Sequence, residues 1–408
     1  MDGLQVEVDP ADVGLDAERL RRIDRHFGRY VDDGRLAGYL VSVARHGKVA
    51  HLATNGYRDR EAARPVDVDT IWRMYSMTKP ITSVAALMLC EEGLVDLKDP
   101  LHRYLPAWEQ PRVYTGGAGA GVVTRPAMEP IRVWHLLTHT AGLTYGFLHA
   151  HPVDALYRAA GFEWGTPRGL DLAAACDAYA QLPLLHDPGA EWNYSVATDV
   201  LGRLVEVVSG QSLECFCAER IFEPLGMADA GFSVDVTRAD RLAALYGPDA
   251  DRRATPLNGG AALRLPACIS GGGGMLATAR DYHRFTEMLR RRGEIEGVRL
   301  LSPRTVDYMT TNHLPGGADL LKFGRPLFAE SGFEGVGFGL GFAVTIDPVK
   351  AKILSSPGEY NWGGAASTTF WVDPVEDLTV QFLTQLLPSS THPIRPQLKQ
   401  LVYQALVS

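Results

Sequence analysis

The chain has 408 residues but only five cysteines, Cys90, Cys176, Cys215, Cys217 and Cys268. An odd number at irregular spacing does not describe a disulfide framework. Cys215-Phe216-Cys217 has no second pair or nearby histidine pair to complete a zinc site. Free, mostly buried thiols are expected. No apolar run reaches the ~20 residues needed to span a bilayer. The N-terminus, Met1-Asp2-Gly3-Leu4, carries acidic charge and no long apolar segment, unlike a secretory signal. A cytoplasmic protein without a membrane span is the expectation. Positive charge is also short: 40 Lys and Arg against 48 Asp and Glu leave a net charge of −8. No basic run offsets it, which argues against a nucleic-acid partner.

Two further absences concern chemistry. Gly-x-Ser-x-Gly occurs nowhere, which counts against the nucleophile elbow of an α/β-hydrolase. None of the 12 histidines belongs to a His-Glu-x-x-His pattern. His135 and His139 are four apart, so one helical face could hold two ligands, but no acidic partner lies near them in sequence. Structural histidines, no metal and no cofactor are expected.

What is present centres on Trp72-Arg73-Met74-Tyr75-Ser76-Met77-Thr78-Lys79-Pro80 and the uncharged run from Ile81 to Cys90. Ser76 and Lys79 are three apart, which on a helix puts them one turn from each other on one face. Proline is tolerated only in the first turn, so Pro80 sets the helix start near Ser76. A helix apolar on nearly every side is a buried one. Its free N–H groups and dipole favour negative charge near the serine oxygen. A lysine at its mouth is partly desolvated, which lowers its pKa toward that of a usable base. Ser-x-x-Lys is a serine-nucleophile signature. A serine hydroxyl needs such a base, and Lys79 is the leading local candidate.

The rest of the chain shows hairpins at both ends of a helical middle. Residues 15–33 repeat apolar positions at three- and four-residue steps. Gly38 to Ala44 and Val49 to Thr54 read as strands joined at His46-Gly47-Lys48. Residues 115–130, rich in Gly, Ala and Pro, read as an exposed loop. Helices are expected over Val133 to Leu137, Leu170 to Gln181, Ser195 to Ser209 and Leu213 to Ile221. Ser270 to Gly274 is a turn, and Ala279 to Arg291 a helix. Gly335 to Thr345 reads as one strand. Ser367 to Val372 and Leu378 to Leu386 form a second hairpin, and Pro396 to Leu406 a last helix. The expected fold class is α/β (α+β): one antiparallel sheet built from both termini, flanked by the terminal helices, with an inserted, mainly helical domain. Residues 1–110 and 240–408 would form the sheet domain and 111–239 the helical one, with the active site in the cleft between them.

Several stretches carry a resemblance. They are Tyr75-Ser76-Met77-Thr78-Lys79, Leu136-Leu137-Thr138-His139-Thr140-Ala141-Gly142-Leu143, Tyr194-Ser195-Val196, Glu223-Pro224-Leu225-Gly226-Met227, Gly272-Gly273-Gly274-Met275 and Trp362-Gly363-Gly364. In this order and spacing the chain resembles the serine β-lactamase and penicillin-binding superfamily, and within it looks most like the family VIII carboxylesterases. The resemblance implies a β-lactamase-like fold, with Ser76 as the acylated nucleophile and Lys79 as base or electrostatic partner. It makes Tyr194 the tyrosine of a Tyr-x-Asn motif that relays a proton to the leaving group. A nearby ammonium would lower the Tyr194 pKa by favouring phenolate. By the same matching, the N–H groups of Ser76 and Ala365 would form the oxyanion hole. Gly363 and Gly364 would let backbone approach the acyl group, and Tyr145 would line the pocket.

Two departures matter. Val196 replaces the asparagine of Tyr-x-Asn. Trp362 stands where the lactamases carry the lysine that binds a substrate carboxylate, and would present an apolar wall. Both favour an uncharged acyl ester. The expected function is a carboxylesterase on small, short-chain esters. The alternatives are a β-lactamase or D-amino-acid peptidase, an acyltransferase using the same acyl-enzyme, and a non-catalytic binding module. Oligomeric state is not set by these patterns.

Overall fold

A computed structural model describes residues 3–164, 169–259 and 262–407. Its centre is an eight-stranded antiparallel sheet. The strands are β1 (Gly38–Arg45), β2 (Lys48–Asp59), β3 (Arg64–Pro65), β4 (Val336–Phe338), β5 (Ala343–Thr345), β6 (Tyr360–Gly363), β7 (Thr369–Asp373) and β8 (Leu378–Leu383). Their order is β4-β5-β6-β7-β8-β1-β2-β3, so the two ends of the chain meet where β8 pairs with β1, Leu40 opposite Leu383. All eight residues of β1 are buried. A strand buried on both faces needs a covering layer on each, and the alternation of its side chains assigns them. Tyr39, Val41 and Val43 pack with Phe27 of α1 (Ala17–Asp32) and with Leu398 and Val402 of the C-terminal helix Ile394–Tyr403. Leu40 and Ala44 face the opposite way, into the larger core, which also holds Ile81, Val200 and Phe285.

That larger core is organised around α2 (Thr78–Glu91), in which every residue from Thr78 to Leu89 is buried. Pro80 sits in its first turn, where its missing N–H costs nothing. α2 packs against α3 (Ala197–Ser209), which ends at Gly210 with φ +72°, a left-handed cap that glycine adopts freely. The helix α4 (Ala279–Arg290) covers the same side of the sheet and starts on Thr278, whose side chain accepts from the Asp281 N–H. Residues of the helical middle, such as Tyr157 and Leu204, belong to one apolar cluster with sheet residues Leu40 and Phe370.

Three local expectations need correction. Residues 115–130 are not a bare loop: Arg112–Gly116 and Val123–Pro126 pair as a ribbon whose residues, Val113 apart, are exposed or half-buried. Gly335 to Thr345 is two strands, because the chain reverses between Phe338 and Ala343. Gly341 there has φ +98°, which an L side chain resists. The helix from Leu213 keeps α geometry only to Cys217 and widens to a π-type turn over Ala218–Phe222. A short helix over Pro152–Ala159 and strand β6 carried no clear periodic signal. The cysteines are free, with Cys176, Cys217 and Cys268 buried. Burial pushes the Cys217 and Cys268 thiols up to about 12, away from thiolate chemistry. No helix among the described residues is long and apolar enough to cross a membrane.

Candidate active site

The site begins with a strained entry. Tyr75 has φ +47°, a left-handed conformation rare for a side chain of that size. It turns the chain from Trp72–Arg73, paired with Leu276–Ala277, into the 3-10 turn Tyr75–Met77 that precedes α2. The Thr78 hydroxyl donates to the Tyr75 carbonyl at 2.6 Å and fixes that turn. Ser76, 9% exposed, is thereby held at the helix mouth, on the wall of a cavity of about 770 Å³.

Lys79 is 1% exposed. Its Nζ donates to Ser76 Oγ at 3.2 Å, to the Tyr145 hydroxyl at 3.0 Å and to the Gly272 carbonyl at 2.7 Å. Burial lowers its pKa to about 8, against the opposing pull of the Asp199 and Glu330 carboxylates. The three partners suit a neutral amine as well as an ammonium. Gly272 O can only accept, and the Tyr145 oxygen can accept a second N–H. That leaves the nitrogen lone pair for the Ser76 hydroxyl.

Tyr194 stands three residues before α3, and its hydroxyl donates to Ser76 Oγ at 2.6 Å. Here the expected ammonium effect loses to burial. The Tyr194 pKa lies well above its ordinary value, raised by desolvation and then by the Glu330 carboxylate, and only partly offset by the Ser76 hydrogen bond. The residue is a neutral phenol. Tyr145 is likewise raised, chiefly by burial, and its ring lies edge-on to Tyr194 at 5.2 Å. The Lys79 ammonium sits 4.7 Å from the Tyr194 ring centroid, a cation–π distance.

Trp362 is fully buried and packs edge-on against the Tyr194 ring at 5.4 Å. It braces the tyrosine from behind and does not line the cavity. Gly363 and Gly364 are also set by protein contacts. A Cβ on Gly363 would meet the Arg395 guanidinium, and one on Gly364 the Met74 carbonyl and the Thr368 hydroxyl. Their smallness docks the end of β6 against the turn that carries Ser76. Ala365, the next residue, lines the cavity. Val196 is buried at the N-cap of α3 and makes no side-chain hydrogen bond there.

Sequence reasoning missed Asp199. It is buried on α3, and its Oδ1 accepts from Ser270 Oγ at 2.6 Å and from the Gly272 N–H at 3.0 Å. The same peptide loop presents the Gly272 carbonyl to Lys79, so Asp199 both holds that loop and faces the lysine charge. Also missed were Phe147, Trp164 and Phe328. Phe147 stacks on Tyr145 at 4.8 Å and on Trp164 at 5.6 Å, and meets Phe328 edge-on at 6.0 Å. Nothing in their sequence neighbourhoods marks them as a set. His135 and His139 each have a hydrogen-bond partner within the protein. His135 lies within the short helix Val133–Leu137 and its Nδ1 accepts from the Arg132 N–H, while His139 lies beyond it with Nδ1 against Ser195 Oγ. Among the described residues no group of three or more His, Cys, Asp or Glu is arranged to hold a metal.

The beta-lactamase family model matches residues 23–404, and the chain belongs to that family. It is 38% identical over 362 residues to an uncharacterized protein of Mycobacterium tuberculosis, covering 88% of each. To esterase EstB of Burkholderia gladioli it is 33% identical over 397 residues, covering 92% of this chain and 93% of the relative. The solved structure of EstCE1, a hydrolase with promiscuous acyltransferase activity, matches with a TM-score of 0.78 at 29% identity, over 97% of this chain and 99% of that one. The protein is a serine hydrolase with the β-lactamase-like fold.

Proposed function

We propose that the protein is a carboxylesterase that hydrolyses short-chain acyl esters through an acyl-serine intermediate. The observation that carries this is the position of Ser76 Oγ between the Tyr194 hydroxyl and Lys79 Nζ, on the wall of an aromatic-lined cavity. In this reading Ser76 Oγ attacks the ester carbonyl as its proton passes to the neutral amine of Lys79. The N–H groups of Ser76 and Ala365 receive the carbonyl oxygen as it becomes an oxyanion. Tyr194, held as a neutral phenol, gives its proton to the departing alkoxide, and the Lys79 ammonium over its ring stabilises the phenolate. Water then attacks the acyl carbonyl in the reverse sense and regenerates the serine.

The similarity to esterase EstB supports an ester substrate. So does Trp362, which stands where the resemblance puts a carboxylate-binding lysine, while the Arg395 guanidinium at the end of β6 is already paired with Glu330. Efficient penicillin turnover would favour the β-lactamase reading instead. A second reading, acyl transfer, is favoured by the likeness to EstCE1 and uses the same acyl-serine with an alcohol in place of water. Product analysis with added alcohol separates the two.

The primary test is intact mass after brief exposure to a phosphonate ester, for wild type and Ser76→Ala, beside p-nitrophenyl butyrate turnover. One adduct on wild type, none on the variant and loss of turnover together support the proposal. An adduct or turnover that survives in Ser76→Ala overturns it.

A further inference from the structure

A second cavity of about 230 Å³ adjoins the first, on the far side of Tyr75. The two share Tyr75, Pro266, Gly273 and Gly274 as lining. What distinguishes the second is positive charge: it is lined by Arg73 and Arg264. Of the Arg73 side-chain nitrogens, Nη1 donates to the Ala243 carbonyl at 2.6 Å. Among the described residues, no carboxylate lies within ion-pair distance of either arginine. Arg238 and Arg241, by contrast, both pair with Asp229. Arg73 is half-buried, and a partly desolvated cation without a counter-charge is costly unless something supplies one. Its backbone is fixed by the Trp72–Arg73 pairing with Leu276–Ala277, three residues ahead of Ser76, and the Nη1 bond to the Ala243 carbonyl anchors the guanidinium.

We infer that this annex binds a carboxylate on the substrate itself, held by the Arg73 and Arg264 guanidinium groups while the ester of the same molecule lies at Ser76. The planar fork of an arginine matches a carboxylate in two hydrogen bonds. The shared lining puts the two cavities side by side at Tyr75, within reach of one molecule. The substrate class is therefore an ester with a carboxylate some methylenes from the scissile bond. This rests on the esterase reading and refines it: the cation at the end of β6, Arg395, is already paired with Glu330, so the anion is received by Arg73 and Arg264.

The test uses butyrate esters of ω-hydroxycarboxylic acids of graded chain length, each as the free carboxylate and as its methyl ester. Wild type, Arg264→Gln, Arg264→Glu and Arg73→Gln are compared at low salt. For wild type at the matching length, the free carboxylate is expected to exceed its methyl ester by about tenfold in kcat/KM, mainly through KM. That ratio falls toward unity in Arg264→Gln, drops below it in Arg264→Glu, and shrinks as salt is raised. Arg264 is exposed, so its variants remain informative if Arg73→Gln fails to fold. Parity in wild type at every chain length overturns the inference, as does a preference that survives in both Arg264 variants. Failure of wild type to cleave the methyl esters at all counts against the esterase reading instead.

Discussion

The Tyr194 hydroxyl donates to Ser76 Oγ at 2.6 Å, although 118 residues separate them in the chain. Burial keeps that phenol protonated, so it is placed to be a proton donor. Tyr194→Phe removes the donor but keeps the ring that packs on Trp192, Trp362 and Tyr145. The fold should be preserved, with a thermal midpoint near that of wild type. The kcat for p-nitrophenyl butyrate should fall by about 10²–10⁴, the usual range for loss of one acid–base group. The decrease should be smaller for esters with better leaving groups, which need less protonation. A uniform decrease across leaving groups would remove Tyr194 from that step.

The pH profile should report Lys79. If its neutral amine takes the Ser76 proton, kcat/KM rises with pH through an apparent pKa of about 8. It then stays level, because Tyr194 and Tyr145 titrate well above their ordinary range. Asp199 raises the Lys79 pKa by its charge. Asp199→Asn should therefore move the midpoint of the rise to lower pH. A midpoint unmoved by Asp199→Asn, or a flat profile from pH 6 to 9, would mean that another group sets the protonation state.

These residues differ in how far the sequence betrays them. Ser76 and Lys79 are legible because their spacing alone fixes a geometry, and because the uncharged run after them forces burial. The sheet is legible at β1, β2, β7 and β8, where apolar residues bracket clear turns. It is not legible at β4 and β5, where glycines that permit the reversal and the close contacts also dilute the apolar signal. Tyr194 is visible only through family resemblance, since by itself it is one more aromatic beside Trp192. Asp199 looks like an ordinary acidic residue in the first turn of a helix, and its contact with Gly272 spans 73 residues. Such pairings are created by the fold, and no local pattern encodes them.

Gly364 offers a steric test. Its missing Cβ allows the end of β6 to lie against the Met74 carbonyl, two residues before Ser76. Both flanking obstacles are held: the Met74 carbonyl is backbone, and the Thr368 hydroxyl donates to that same carbonyl at 3.4 Å. Gly364→Ala must push the strand end and the nucleophile turn apart. The expected outcome is a loss of about 1–3 kcal/mol of stability, as for overpacking elsewhere. Turnover should fall more than unfolding explains, because Ala365 and Ser76 shift relative to each other. Wild-type stability and kcat in Gly364→Ala would contradict the close approach.

Lys79 should weaken the fold it serves. Its pKa is about 8 in the native protein against 10.5 for the ordinary side chain, because burial disfavours the ammonium. The unfolded chain therefore binds more protons between those values, and stability contributed at this site rises as pH climbs from about 8 to 10.5. Below about pH 8 the whole penalty is present. The shift corresponds to roughly 3 kcal/mol, since each unit is worth about 1.4 kcal/mol. Lys79→Met keeps a similar length and apolar stem and removes the charge. It also leaves the Gly272 carbonyl and the Tyr145 hydroxyl without this donor, which offsets part of the gain. The net expectation at pH 7 is an inactive protein stabilised by about 1–2 kcal/mol, with the advantage over wild type shrinking toward pH 10. Urea titrations of both proteins at pH 7 and pH 10 measure this. An inactive variant that is less stable than wild type at pH 7 would show that the three hydrogen bonds of Nζ outweigh the cost of burying its charge.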